Sequence, residues 1–349
     1  MINKLLLLPA LALIIIISAA EPSPAEMSAK GLIRNDVIVL MKNGKGAYGN
    51  ILDNRLFVTG GGENWKFVSD MRLYLYDGLY RTIAGPSSFT LMRSFIRYDA
   101  GKARITAGKT YINFGVRGVF NPFEIRKSLD FSDLSSDNDG MNALCLDAAF
   151  SDLAGMKVYL SADTESLTGG VGILASLAGW DAGAMAARTG LGRNKAGFYF
   201  KGDALAGLGG AYALHFDDEG KNAYSEASVR ADYSFGKLIA AADLYYNEAG
   251  AASISDYAAL SIADSYLKAR QYGHAGLYFT PDEFSRCSAD SFFNFTDGSE
   301  IIIISYGSVI ANGLEATLMA AAFTGEGASE FSRAAAGDYT VLFRIEGKF

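Results

Sequence analysis

Tyr339-Thr340-Val341-Leu342-Phe343-Arg344-Ile345-Glu346-Gly347-Lys348-Phe349 alternates along its whole length. Tyr339, Val341, Phe343, Ile345, Gly347 and Phe349 fall on one side, and Thr340, Arg344, Glu346 and Lys348 on the other. Leu342 alone breaks the polar side. A period of two is the β-strand period. A strand with Arg344, Glu346 and Lys348 on one face needs water there and something apolar on the other. The core of an antiparallel sandwich and the lipid around a transmembrane barrel both meet that requirement.

The opposite end narrows the choice. Met1 to Lys4 is a short basic start, Leu5 to Ile17 is an apolar run broken by Pro9, and Ser18, Ala19 and Ala20 are small residues before Glu21. This is the anatomy of a secretory signal peptide, with cleavage expected after Ala20, or alternatively after Ala25. The apolar run falls short of the roughly 20 residues a spanning helix needs. No Cys stands near the cleavage region to carry a lipid anchor. The expected organisation is a signal peptide at 1–20 and a single domain at 21–349.

The chain has 349 residues, 50% of them hydrophobic, with 39 Gly, 22 Phe, 19 Tyr and 6 Pro. Beyond residue 20 no apolar run approaches the length of a spanning helix; Ile301 to Ile304, for example, is four residues followed by Ser305. A barrel hides its hydrophobicity in this way, because only alternate residues face lipid. A net charge of -7 argues against nucleic acid as a partner. Cys145 and Cys287 fall on strands expected to face different directions, and they are read as unpaired.

Segments of about ten alternating residues separated by Gly, Asp or Asn turns recur along the chain. Ala227, Val229, Ala231, Tyr233 and Phe235 oppose Glu226, Ser228, Arg230, Asp232 and Ser234. Leu314, Ala316, Leu318, Ala320 and Ala322 form a smaller version. Short connections are expected at 99–102, 151–155, 178–181, 236–237, 281–283 and 311–313. Longer ones are expected at 115–140, 217–222, 247–269 and 324–337. Short turns at one end and long loops at the other are the barrel arrangement. About sixteen spans can be traced, and Ile33 to Met41 with Ala47 to Val58 raises the preferred number to eighteen. The fold expected is therefore all-β, a transmembrane antiparallel barrel of 16–18 strands with short periplasmic turns and longer extracellular loops. Trp65, Tyr233, Phe235, Phe279 and Phe349 are candidates for interfacial aromatic girdles.

Ala103 to Thr110 fits a relaxed phosphate-loop pattern. A phosphate loop must leave a strand and enter a helix, whereas Tyr111 to Phe114 continues the strand pattern here. Together with Tyr98 to Lys102, the same stretch carries a resemblance. Gly108-Lys109-Thr110, Phe114-Gly115 and Asn121-Pro122, followed by Glu124, resemble a hairpin and loop of Gram-negative porin-like outer-membrane proteins. Those proteins read roughly Gly-Arg-Gln, Trp-Gly and Asn-Pro-x-Asp, and the match covers about a tenth of the chain. A C-terminal Phe349 after an alternating strand likewise resembles the signal read by the barrel-assembly machinery. The resemblance implies an outer-membrane location in a Gram-negative-type bacterium. It carries no particular solute.

Asn121 suits a helix cap and Pro122 a first helical position. Lys66, Arg72, Arg93 and Arg97 share the face assigned to the lumen, and Arg104 falls beside them. The expected site is a charged constriction in which the loop from Gly115 to Gly140 folds partly inward. Its acidic residues Glu124, Asp130 and Asp133 would then face that basic wall. The bland alternative is a solvated outer loop, with the arginines paired to Asp70 and other lumen carboxylates. His215 and His274 are expected to line the lumen, and neither has a neighbouring nucleophile at a spacing that suggests catalysis. The expected function is passive diffusion of small hydrophilic solutes, with no enzyme activity, cofactor or metal. The alternative is a plugged structural or surface-exposed barrel, such as an adhesin or assembly partner. Expected partners are outer-membrane lipids, the barrel-assembly machinery, small hydrophilic solutes and, as a candidate, further copies of the chain.

Overall fold

The computed structural model describes residues 26–115, 118–123, 140–161, 168–189, 193–220, 223–260, 267–325, 327–332 and 337–349. Eighteen strands follow one another in chain order. They are β1 (Glu26–Lys42), β2 (Lys45–Gly61), β3 (Trp65–Gly78), β4 (Ser87–Ala100), β5 (Ala103–Thr110), β6 (Met141–Ser151), β7 (Ala154–Ser161), β8 (Thr168–Leu177) and β9 (Trp180–Thr189). There follow β10 (Arg193–Asp203), β11 (Gly207–Asp217), β12 (Tyr224–Phe235), β13 (Leu238–Asn247), β14 (Gln271–Phe279), β15 (Ser285–Asn294), β16 (Ser299–Ala311), β17 (Leu314–Phe323) and β18 (Tyr339–Lys348). Each pairs antiparallel with its sequence neighbours, and β18 pairs with β1 to close the ring. Closure leaves no strand edge around the circumference, which is what a sheet in hydrocarbon requires.

The opening alternation reads directly onto this wall. Tyr339, Val341, Phe343, Ile345 and Phe349 are exposed on the outside, while Thr340 and Leu342 are buried inside. Leu342, the exception on the polar face, packs within the barrel against Ile38 and Ile51. The register carries the same division around the ring. Val229, Leu318, Ile304, Phe198 and Ile173 point outward and are exposed, as an apolar belt meeting lipid must be. Tyr233, Phe235, Phe279 and Phe349 are exposed on that outer surface. Trp65 faces the same way and is partly covered.

The connections sort by end. Short turns at 62–64, 101–102, 152–153, 178–179, 204–206, 236–237, 280–284 and 312–313 share the periplasmic rim with the chain terminus. The longer connections lie at the other rim, including 79–86 with its short helix α1 (Leu79–Ala84), 111–140, 248–270 and 324–338. That outer rim also carries shorter connections. Asn43-Gly44 joins β1 to β2 with positive φ at both residues, 50° and 70°, the backbone of a two-residue hairpin whose twist suits the strands.

Candidate functional site

The interior is built by the inward half of every strand, and one sector of it is ionic. On β1, β2, β3, β4 and β18, Asp36, Asp53 and Asp70 are fully buried. Arg344 donates to Asp36 through Nε at 2.7 Å and Nη2 at 2.9 Å. Arg34 bridges Asp36 at 3.3 Å and Asp53 at 3.1 Å, and Arg72 approaches Asp53 at 3.6 Å. Asp70 accepts from Arg55 Nε at 2.6 Å and from Arg93 Nη2 at 3.2 Å. The carboxylates lie behind and the guanidinium groups of Arg55, Arg93 and Arg344 lie partly open in front. This wall therefore turns positive groups toward the lumen.

The expected basic residues occupy different settings within it. Arg93 faces inward, with its guanidinium carbon 5.1 Å from the Tyr111 ring centroid. Arg72 also faces inward but is only 2% exposed, donating to Tyr74 Oη at 3.1 Å. Lys66 and Arg97 are cross-strand partners near the periplasmic rim. Arg104 pairs with Asp99 at 2.6 Å in the open. A cavity of about 550 Å³ lies there, lined among others by Asp99, Arg104, Asp147, Lys157, Phe114 and Tyr199. Glu124, Asp130 and Asp133 lie outside the described residues, so the described part of their loop is 111–115 and 118–123.

That described segment runs into the barrel. Tyr111 meets Arg93 on β4, and from Phe114 onward the contacts run around the wall from β7 to β14. Phe114 packs on Tyr159 of β7. Phe123, fully buried, meets Tyr199 of β10 edge-on. Phe120 stacks on Tyr245 of β13 at 5.2 Å and touches Tyr272 of β14. Room for these rings comes from small inward residues: Ala143, Ala187, Ala211 and Ala213 share their cluster, and a Cβ on Gly172 would stand 2.7 Å from the Phe114 ring. Asn121 caps a turn here. Its Nδ2 donates to the Phe114 carbonyl at 3.0 Å while its Oδ1 accepts from the Phe123 amide at 3.0 Å.

Sequence reasoning missed the acidic half of the ionic wall, Asp36 and Asp53, and the aromatic seat. The signal for the seat was present as Gly and Ala on inward positions of Gly-rich strands, where a lumen exposed to water has no need of small residues. His215 and His274 both face inward. His215 lies 3.4 Å from Glu226 and stacks on Tyr224. His274 lies between Asp243 at 3.0 Å and Asp290 at 3.1 Å. Among the described residues no cluster of three or more His, Cys, Asp or Glu is placed to hold a metal ion. Cys145 faces inward and is buried, Cys287 sits on the outward face, and both are free.

A closed eighteen-strand barrel with an apolar exterior, a charged interior and an in-turned loop defines a porin-type transmembrane barrel. No protein-family model matches the chain, and no curated protein matches it by sequence. Solved structures match it over nearly its whole length. OccK11 (OpdR) of Pseudomonas aeruginosa superposes with a TM-score of 0.61 at 9% identity, covering 93% of this chain and 96% of that one. The outer membrane protein OprD of Pseudomonas aeruginosa gives 0.61 at 10% identity, covering 93% of both chains. A BenF-like porin of Pseudomonas fluorescens Pf-5 gives 0.63 at 10% identity, covering 93% and 98%. At these identities the likeness is one of fold.

Proposed function

We propose that this chain is a porin-like channel of the outer membrane through which small hydrophilic solutes diffuse passively. The observation that carries the reading is the charged inward face of a closed eighteen-strand ring. A barrel of this size leaves room for an aqueous channel. The fold shared with an outer membrane protein and a BenF-like porin supports it. In the same reading residues 1–20 direct export, Phe349 serves recognition by the assembly machinery, and outer-membrane lipids surround the belt.

Lys66, Arg93, Arg97 and Arg104 line the path, with Arg72 behind them, and Glu124, Asp130 and Asp133 supply the acidic side of a constriction. Rings and clusters of charge at a narrowing select permeant ions. Planar-bilayer recordings test both levels. The channel reading predicts discrete conductance steps, and the charged constriction predicts that neutralising Arg93 and Arg97 together shifts the reversal potential toward cation preference. Steps without any change in selectivity would remove the constriction and leave the channel.

One observation favours a second reading, a plugged structural barrel without enzymatic or transport activity. Phe120, Tyr257 and Phe331, from three different loops, join one buried cluster with Tyr272, Ile301 and Phe323 of the wall. A bilayer that stays silent with folded protein present would favour that reading.

A further inference from the structure

Lys195 on β10 is 3% exposed and faces the lumen, level with Ala187 on one neighbouring strand and His215 on the other. Its Nζ donates to the Pro122 carbonyl at 2.6 Å, across 73 residues of sequence. A buried ammonium is strongly unfavourable unless it is hydrogen-bonded. The wall position therefore depends on the in-turned segment, and the segment on the wall. Pro122 offers a carbonyl and no N–H. That carbonyl sits in a braced turn. Asn121 ties Phe114 to Phe123, Phe123 is enclosed against Tyr199, and Gly115, at φ 83°, leaves the space that a Cβ 2.8 Å from the Phe123 ring would take.

Building on the channel reading, we propose that Lys195 is a positioning residue. It fixes the Asn121-Pro122-Phe123 turn to the β10 wall and so sets the opening between that turn and the arginine-bearing wall opposite. Among the described residues, the other contacts that hold the turn to this wall are ring contacts of Phe114, Phe120 and Phe123, which constrain its direction along the lumen less than a hydrogen bond to one carbonyl does. A lysine that merely stabilised the barrel would change unfolding and leave the opening as it was.

The test uses the full-length protein and the variants Lys195→Met and Lys195→Arg, each first shown to be folded by the altered mobility of unheated samples on SDS gels. In planar bilayers Lys195→Met is expected to lose the single conductance level, spreading over several levels with added open-state noise. Lys195→Arg restores one level, because a guanidinium still donates to the carbonyl. Wild-type amplitude and noise in Lys195→Met would overturn the proposal. If Lys195→Met does not fold, Lys195→Gln is read in the same way. A silent wild type would count against the channel reading alone. The position of the turn is then read by water-soluble maleimide labelling of Phe120→Cys in a Cys145→Ala, Cys287→Ser background. Labelling is expected to be more than about tenfold faster with Lys195→Met, and equal rates overturn the proposal.

Discussion

The ring of Phe349 lies directly over Gly31, so that a Cβ on Gly31 would fall 2.0 Å from the tip carbon of the ring. The two residues also exchange backbone hydrogen bonds, Gly31 N to Phe349 O at 2.8 Å and Phe349 N to Gly31 O at 3.0 Å. The last residue of the chain is thereby seated on the first strand, at the seam where the barrel closes. Replacing Gly31 by Val displaces the ring. The far end of this exposed ring can swing aside, which keeps the cost at the low end of overpacking, about 1 kcal/mol or less, and urea titration of the folded fraction in lipid vesicles is expected to register that loss. Wild-type stability in Gly31→Val would show that the seam does not depend on the ring.

Asp70 holds two arginines from neighbouring strands. Asp70→Asn leaves Arg55 and Arg93 facing each other without a carboxylate; removing one partner of a fully buried pair costs about 3–5 kcal/mol, and the cost here is smaller because both guanidinium groups are partly open to the lumen. The same change leaves the lumen more positive. The expected result is a lower urea midpoint together with a reversal potential shifted toward anions. A shift in one measurement without the other would separate the structural role of Asp70 from its electrostatic one.

Val229 and Ser228 are adjacent on β12 and face opposite solvents, with Val229 exposed on the outer face. Arginine at the lipid midplane costs about 2–4 kcal/mol, while lumen positions tolerate charge. Val229→Arg is therefore expected to lower barrel stability by that amount and Ser228→Arg by less than about 1 kcal/mol. Equal costs would place water on both faces.

Glu330, in the loop between β17 and β18, ties that loop to the 248–270 loop and to the outer ends of β14 and β15. It accepts from the Lys268 amide at 2.9 Å, from Asn294 Nδ2 at 2.9 Å and from the Tyr272 hydroxyl. Burial pushes its carboxyl above the ordinary value of 4.5, against the opposing hydrogen bonds from Tyr272 and Lys268. The folded protein holds this proton more tightly than the unfolded chain. Its contribution to stability is thus present below 4.5 and lost as pH rises through the raised value. Amide exchange of residues 327–332, corrected for intrinsic rates, is expected to accelerate from acid to neutral pH in the wild type. The dependence should flatten in Glu330→Gln. An unchanged slope in that variant would assign it to another group.

The wall was legible because a strand in lipid has one rule, alternate residues apolar, and Tyr339–Phe349 obeys it without tertiary help. Strands β1 and β2 were harder to read, since Arg34, Asp36, Asp53 and Arg55 interrupt weak apolar faces and make sense only as pairs with neighbouring strands, Asp36 with Arg344 across the closing seam, Asp53 with Arg34 and Arg55 with Asp70. Arg72 and Arg93 could be assigned to the inward face by period alone. Whether each meets water or a carboxylate depends on cross-strand register, and a bulge at Asp70/Met71 shifts that register between β3 and β4. Asn121-Pro122 was recognisable as a turn. Its destination against Lys195 was not, because that contact joins a loop to a strand 73 residues away.

A water-filled path through the barrel is tested most directly by solute influx. Vesicles containing the folded protein are diluted into isotonic solutions of uncharged hydrophilic solutes of increasing size, and swelling is followed by light scattering. Swelling is expected to be fast for the smallest solutes and to fall steeply with solute size. Swelling no faster than that of protein-free vesicles, with the barrel shown to be folded, would contradict it.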